Sequence, residues 1–187
     1  MGRGKVHQTM DRVSERLRNE GIPHAVIGGM ALNAHGFERV TTDVDLLTTK
    51  DGLFEIHRKL VGRGFVPKFP GARKKFRDTT TGVDVDFITT GEYPGDGQPK
   101  PVVFPDPREV SVEIEGVHVI RLEKLIELKL ASGLSAVHRV SDIGDVARVI
   151  QLMKLPRELG EQLDSSVRDE YYRLWDASQN AYDPSAG

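Results

Sequence analysis

Four aspartates carry the first chemical signal. Asp43 and Asp45 stand two apart in DVDLLT, and Asp84 and Asp86 repeat the spacing in VDVDFIT. On a strand, positions i and i+2 share a face, so each pair turns both carboxylates to one side. Strands deplete Asp. Two like charges about 4 Å apart repel by ~4 kcal/mol at an effective dielectric of 20. Something cationic must offset such a cluster. Carboxylate oxygens in a chain without cysteine suit a hard ion, Mg²⁺ or Mn²⁺. The alternative is that these acids face solvent on edge strands or pair with Arg73, Lys74, Lys75 and Arg77.

Gly28-Gly29 follows the apolar segment HAVI. A strand that breaks at two glycines before a helix exposes backbone N–H groups to an anion. Glycine also lets a phosphate approach the backbone closely. Residues 30–42 leave room for one helix and a return to Asp43. The bend and the first acids are therefore expected to meet.

The elements that must position these groups can be read from periodicity and punctuation. Met10, Val13 and Leu17 predict a helix over about 7–20, stopped by Gly21 and Pro23. His24–Ile27 and Asp43–Thr48 read as strands, with a helix over MALNAH closed by Gly36. Leu53, Ile56, Leu60 and Val61 mark a helix, and basic strand-like segments occupy about 65–77. The alternation of Val83–Thr89 is a strand pattern. Residues 90–109 read as a long loop, and such loops are often functional. Short strands near 110–114 and 117–120 precede helices at about 122–132, 141–154 and 164–178. The fold class is α+β: a mixed sheet flanked by helices, as a core over 1–120, with a helical section over 121–187 packing on it.

The stretch VIGGMALNAHGFERVTTDVDLL resembles the signature of the nucleotidyltransferase superfamily that includes DNA polymerase β. That pattern is a hydrophobic strand, Gly-Gly or Gly-Ser, a helix, Asp-x-Asp, and a third carboxylate on a later strand. ALNAHGFERVTTDVDLL is similar to the small bacterial AbiEii-type proteins, a branch known from toxin–antitoxin systems. The resemblance covers about 25–150. It implies a nucleotidyltransferase-type sheet, with Gly28 and Gly29 holding an NTP's triphosphate and Asp43 and Asp45 binding the metal. The third carboxylate would be Asp86, in Val85-Asp86-Phe87-Ile88, with Asp84 the rival on the same face. Many members carry Ser after the first Gly, where this chain has Gly29, so backbone groups must do more of the binding.

Lys129 follows Leu122, Leu125 and Ile126 at helical spacing, inside an apolar stripe. A buried lysine needs a partner. Either it snorkels from the stripe's edge or it meets the triphosphate. The resemblance implies the second, followed by Arg139, Asp142 and Asp145. Asp142 is a nucleotide-site candidate, or a first-turn residue behind a Ser141 cap. Thr41 and Thr42 offer hydroxyl contacts or strand propensity alone; Thr42 is placed with the nucleotide-binding group. The basic residues Arg63, Lys68, Arg73, Lys74, Lys75 and Arg77 form a solvated face or steer a nucleotide or RNA. His35 reads as a helix-end residue. Leu163, Val167, Tyr171 and Leu174 form an apolar helix face that packs internally.

Composition bounds the rest. The 187 residues include no cysteine, 26 Lys plus Arg and 28 Asp plus Glu, for a net charge of −2. A disulfide scaffold, a thiol nucleophile and a thiolate zinc site are excluded. No whole-chain basic footprint points to nonspecific nucleic-acid binding. No apolar run approaches the roughly 18 residues of a membrane span, and Met1–Met10 lacks a signal-peptide core. The chain reads as a soluble cytoplasmic protein with no membrane partner. The expected activity is transfer of a nucleoside monophosphate from an NTP to a hydroxyl acceptor: a small molecule, an RNA end or a protein. The alternative is a catalytically silent nucleotide- or partner-binding module, such as a toxin–antitoxin component.

Overall fold

The computed structural model describes residues 4–179. They fall into two compact units, one of residues 4–92 with 104–125, the other of 93–103 with 126–179. The division passes through the long loop and through a helix.

The first unit is built on a seven-stranded mixed sheet. Its strands are β1 (His24–Ile27), β2 (Asp43–Thr48), β3 (Phe65–Pro67), β4 (Lys75–Asp78), β5 (Asp84–Thr89), β6 (Ser111–Ile114) and β7 (Val117–Ile120). Their spatial order is β3-β4-β5-β2-β1-β7-β6. β2 is antiparallel to β1 and parallel to β5. β1 is buried throughout, as a continuous apolar central strand should be. β5 alternates buried and half-buried positions, matching its sequence alternation.

Helix α1 (Lys5–Asn19) packs on β1, β2 and β7. Met10, Val13 and Leu17 are its buried stripe. Helix α2 (Gly28–Ala34) follows β1 without a linker and packs on β1 and β2. In α3 (Lys50–Lys59), the Thr49 hydroxyl accepts from Gly52 N at 2.9 Å and caps the first turn. The α3 register follows this cap and starts before the apolar spacing alone suggests. Most of the 90–109 segment lacks regular structure, but Pro107–Val110 forms a one-turn helix, α4, capped by Asp106.

The second unit holds most of α5 (Leu122–Ser135), then α6 (Val140–Met153) and α7 (Ser165–Gln179). Leu163, Val167, Tyr171 and Leu174 are all buried, as their spacing predicts. The Tyr171 hydroxyl donates to Pro156 O at 2.8 Å, and burial pushes its pKa up to about 12. Ser141 is not a cap. A 3₁₀ turn at Val137–Arg139 runs directly into α6, whose N-cap Arg139 makes no side-chain cap bond. Among the described residues, no helix is long and apolar enough to cross a membrane.

Candidate active site

The sheet register brings the two acid pairs together. Across the parallel β2–β5 ladder, Asp43 is opposite Asp84 and Asp45 is opposite Asp86. Neighbouring strands lie about 4.8 Å apart, so in-register side chains share one face. Val44 and Val85, between the acids, are fully buried on the other face. The four aspartates therefore line one patch of sheet surface, where like charges directly opposite are destabilising.

Two cations on β4 relieve part of that repulsion. Lys75 is in register with Asp86, and Arg77 with Asp84. Lys75 Nζ lies 2.7 Å from Asp86 Oδ2. Asp84 is held at both oxygens, by Arg77 Nε at 2.8 Å and Lys68 Nζ at 2.7 Å. Hydrogen bonds from Arg77 and Lys68 keep its carboxyl below the usual aspartate range. Asp86 differs. Its Oδ1 is buried and has no hydrogen-bond partner. Of the two β5 acids, Asp86 is the one with an uncommitted oxygen. Of the four cations that the ion-pairing alternative names, Lys75 and Arg77 pair with these carboxylates and Lys74 pairs with Glu92 instead, while Lys68, which it does not name, joins them at Asp84.

The glycine bend presses on β2. Gly28 has φ +65, a conformation that strains an L side chain. A Cβ there would also stand 2.4 Å from Asp45 Oδ2. At Gly29 a Cβ would stand 3.1 Å from both Cβ and Oγ1 of Thr41. The Thr41 hydroxyl in turn lies 3.2 Å from Asp43 Oδ1 and 3.3 Å from Asp43 O. Each glycine thus abuts one β2-side residue. Thr42 is exposed, and Thr41, not its neighbour, meets the bend.

Asn33, on α2, holds this approach in place. Its Nδ2 donates to Arg39 O at 2.9 Å, and its Oδ1 accepts from Arg39 N at 2.7 Å. The side chain imitates a strand partner for the loop leading into β2. Neither periodicity nor motif marks Asn33. Only the paired bonds show its role. His35 ends α2, and its Nε2 lies 2.7 Å from Ile120 O.

The donor set suits a hard divalent cation. Every candidate ligand is a carboxylate oxygen, and the orphaned Asp86 Oδ1 is the kind of buried atom that an ion would satisfy. Among the described residues, no three carboxylate or imidazole side chains close into a cage as they stand. Lys75 and Thr41 occupy oxygens of Asp86 and Asp43.

Within the second unit, Lys129 is buried at 8% exposure and fully engaged. Its Nζ donates to Asp142 Oδ1 at 2.8 Å and to Asp145 Oδ2 at 2.9 Å. Ser132 Oγ donates to Asp142 Oδ2 at 2.8 Å. Lys129 does not snorkel. It neutralises two acids that α6 presents one turn apart.

No family model matches the chain, and no curated protein matches it. Solved structures do. An antigenic nucleotidyltransferase-like protein of Paracoccidioides brasiliensis aligns over 97% of this chain and 95% of its own, at 16% identity and a TM-score of 0.53. A protein of Helicobacter pylori, provisionally assigned as a nucleotidyltransferase, aligns over 93% and 92%, at 14% identity and a TM-score of 0.50. The mixed sheet with its flanking helices accords with these alignments: this chain has the nucleotidyltransferase fold.

Proposed function

We propose that this chain moves a nucleoside monophosphate from an NTP to a hydroxyl acceptor and releases pyrophosphate. One observation carries the reading: Asp43, Asp45 and Asp86 occupy adjoining in-register positions on one sheet face, with Gly28 against Asp45. Asp43, Asp45 and Asp86 would hold Mg²⁺ or Mn²⁺. Such ions, when bound, lower the pKa of an acceptor hydroxyl and offset charge on the departing pyrophosphate. Backbone N–H groups at Gly28 and Gly29 would face the triphosphate. Asp86 would also take the acceptor's proton. The acceptor oxygen bonds to the α-phosphorus as the bond from that phosphorus to the β-phosphate bridging oxygen breaks. Acceptors consistent with this chemistry are a small-molecule hydroxyl, an RNA end or a protein side chain.

The test uses each α-labelled NTP with Mg²⁺ and candidate acceptors, reading label transfer and pyrophosphate together. Asp43→Asn should abolish both while circular dichroism stays unchanged. Equal rates in the two proteins would reject the assignment.

A second reading has its own observation. Lys68, Lys75 and Arg77 satisfy much of the β5 acid charge internally, which also suits a silent nucleotide-binding module. Calorimetry with Mg-ATP separates the two readings: binding with no pyrophosphate release from any NTP favours the module.

A further inference from the structure

Glycine at position 29 has a cause outside its own backbone. Its φ is not positive, so conformational freedom does not demand glycine there. The constraint is steric. An added Cβ would stand 3.1 Å from the Thr41 Cβ and Oγ1, inside ordinary van der Waals contact. The space beside the bend is already taken, and a hydroxyl takes it.

That hydroxyl has a defined second contact. It lies 3.2 Å from Asp43 Oδ1 and 3.3 Å from Asp43 O, so its single proton is shared between a carboxylate and a carbonyl. A side chain tied at both points cannot swing freely. The loop that delivers Thr41 is itself fixed, because Asn33 grips the Arg39 backbone through both its donor and its acceptor. Helix α2 thus reaches Asp43 by two routes: Gly29 packs under Thr41, and Asn33 anchors the loop before it.

We propose that Thr41 is the positioning residue for Asp43, its hydroxyl filling the bend-side space that a serine at position 29 would otherwise fill. The inference rests on the metal-site reading of Asp43 given above. Partners that orient a metal ligand typically change metal affinity by about 10- to 100-fold when removed. Thr41→Val removes the hydroxyl and keeps the shape; Thr41→Ser keeps the hydroxyl.

The experiment measures Mn²⁺ binding by titration calorimetry, alone and with a nonhydrolysable ATP analogue, alongside melting temperature. Wild type should bind, Thr41→Val should bind about tenfold more weakly, and Thr41→Ser should stay close to wild type. Gly29→Ser alone should lower the melting temperature by crowding Thr41. Gly29→Ser with Thr41→Ala should recover both melting temperature and Mn²⁺ affinity, since the hydroxyl has only moved across the gap. Wild-type binding with Thr41→Val unchanged overturns this inference and leaves the metal site standing. Failure of wild type to bind Mn²⁺ under either condition overturns both.

Discussion

Asp45 and Asp86 face each other in register across the parallel β2–β5 ladder, and the Lys75 ammonium reaches Asp86 Oδ2 at 2.7 Å from the next strand. Two acids and one base thus stand side by side on three adjacent strands. The lysine offsets part of the charge on this patch, so an ion held by the proposed site would compete with it for Asp86.

The competition can be measured. Lys75 is half exposed, and exposed ion pairs contribute roughly 0.2–1 kcal/mol. Lys75→Met should therefore tighten Mn²⁺ binding by about two- to fivefold, with the gain shrinking as ionic strength rises. Weaker Mn²⁺ binding in the variant would show that the ammonium assists the ion.

Gly28 and Gly36 separate two effects of a glycine. Both have positive φ, at +65 and +94. A Cβ at Gly28 meets Asp45 Oδ2, whereas a Cβ at Gly36 meets nothing within 4 Å. Gly28→Ala and Gly36→Ala should each cost about 1–2 kcal/mol of stability, read from denaturant midpoints. Only Gly28→Ala should also weaken Mn²⁺ binding. Equal metal affinity in the two variants would separate the bend from Asp45.

Much of this arrangement is legible along the chain because it is local. The alternation of Val83–Thr89 and the apolar block His24–Ile27 mark strands, and Gly28-Gly29 marks the break between strand and helix. The β2 bounds, Asp43–Thr48, are those of the DVDLLT segment. What eludes the sequence is pairing at a distance. Nothing local says that β2 lies parallel to β5, or that Lys75 rather than Arg73 or Lys74 meets Asp86. Lys74 pairs instead with Glu92, and Arg73 O contacts His57 Nε2 at 2.6 Å. The Asn33 clasp is equally silent, since an asparagine in a short helix has many uses. Ser141 misleads because a preceding 3₁₀ turn starts α6 early, a boundary decided by backbone geometry and not by capping residues.

His24 gives a prediction for acid. It is 4% exposed at the start of β1, stacked on His118 with ring centroids 5.4 Å apart. Nδ1–H donates to Ile22 O at 2.9 Å. Burial holds its pKa below the ordinary 6.5, and the nearby His118 and Arg18 charges push the same way, against the Ile22 carbonyl. The unfolded chain then binds a proton that the folded chain refuses, so stability falls as pH drops below about 6.5. His24→Gln keeps an N–H donor and removes the titration. Its denaturant midpoint should fall less than that of wild type between pH 7.5 and 5.5, and the His24 ring proton should titrate below 6.5 by NMR. Parallel midpoints would show that other groups set the acid limb.

Lys129 makes an asymmetric prediction. Its ammonium balances two carboxylates, Asp142 and Asp145, with side-chain exposures of 9% for the lysine and 13% and 9% for the acids. Removing the base leaves like charges facing each other in a dry setting, and breaking a buried pair in this way costs about 3–5 kcal/mol. Removing one acid leaves a balanced pair. Asp142→Asn also keeps an oxygen for the Ser132 hydroxyl, which now donates to Asp142 Oδ2. Lys129→Met should therefore lower the urea midpoint far more than Asp142→Asn does. Adding Asp142→Asn to Lys129→Met should restore part of the loss, because the residual repulsion disappears with the second charge. If the two substitutions simply add, the lysine and the acid do not form one unit, and Lys129 is held by its apolar stem.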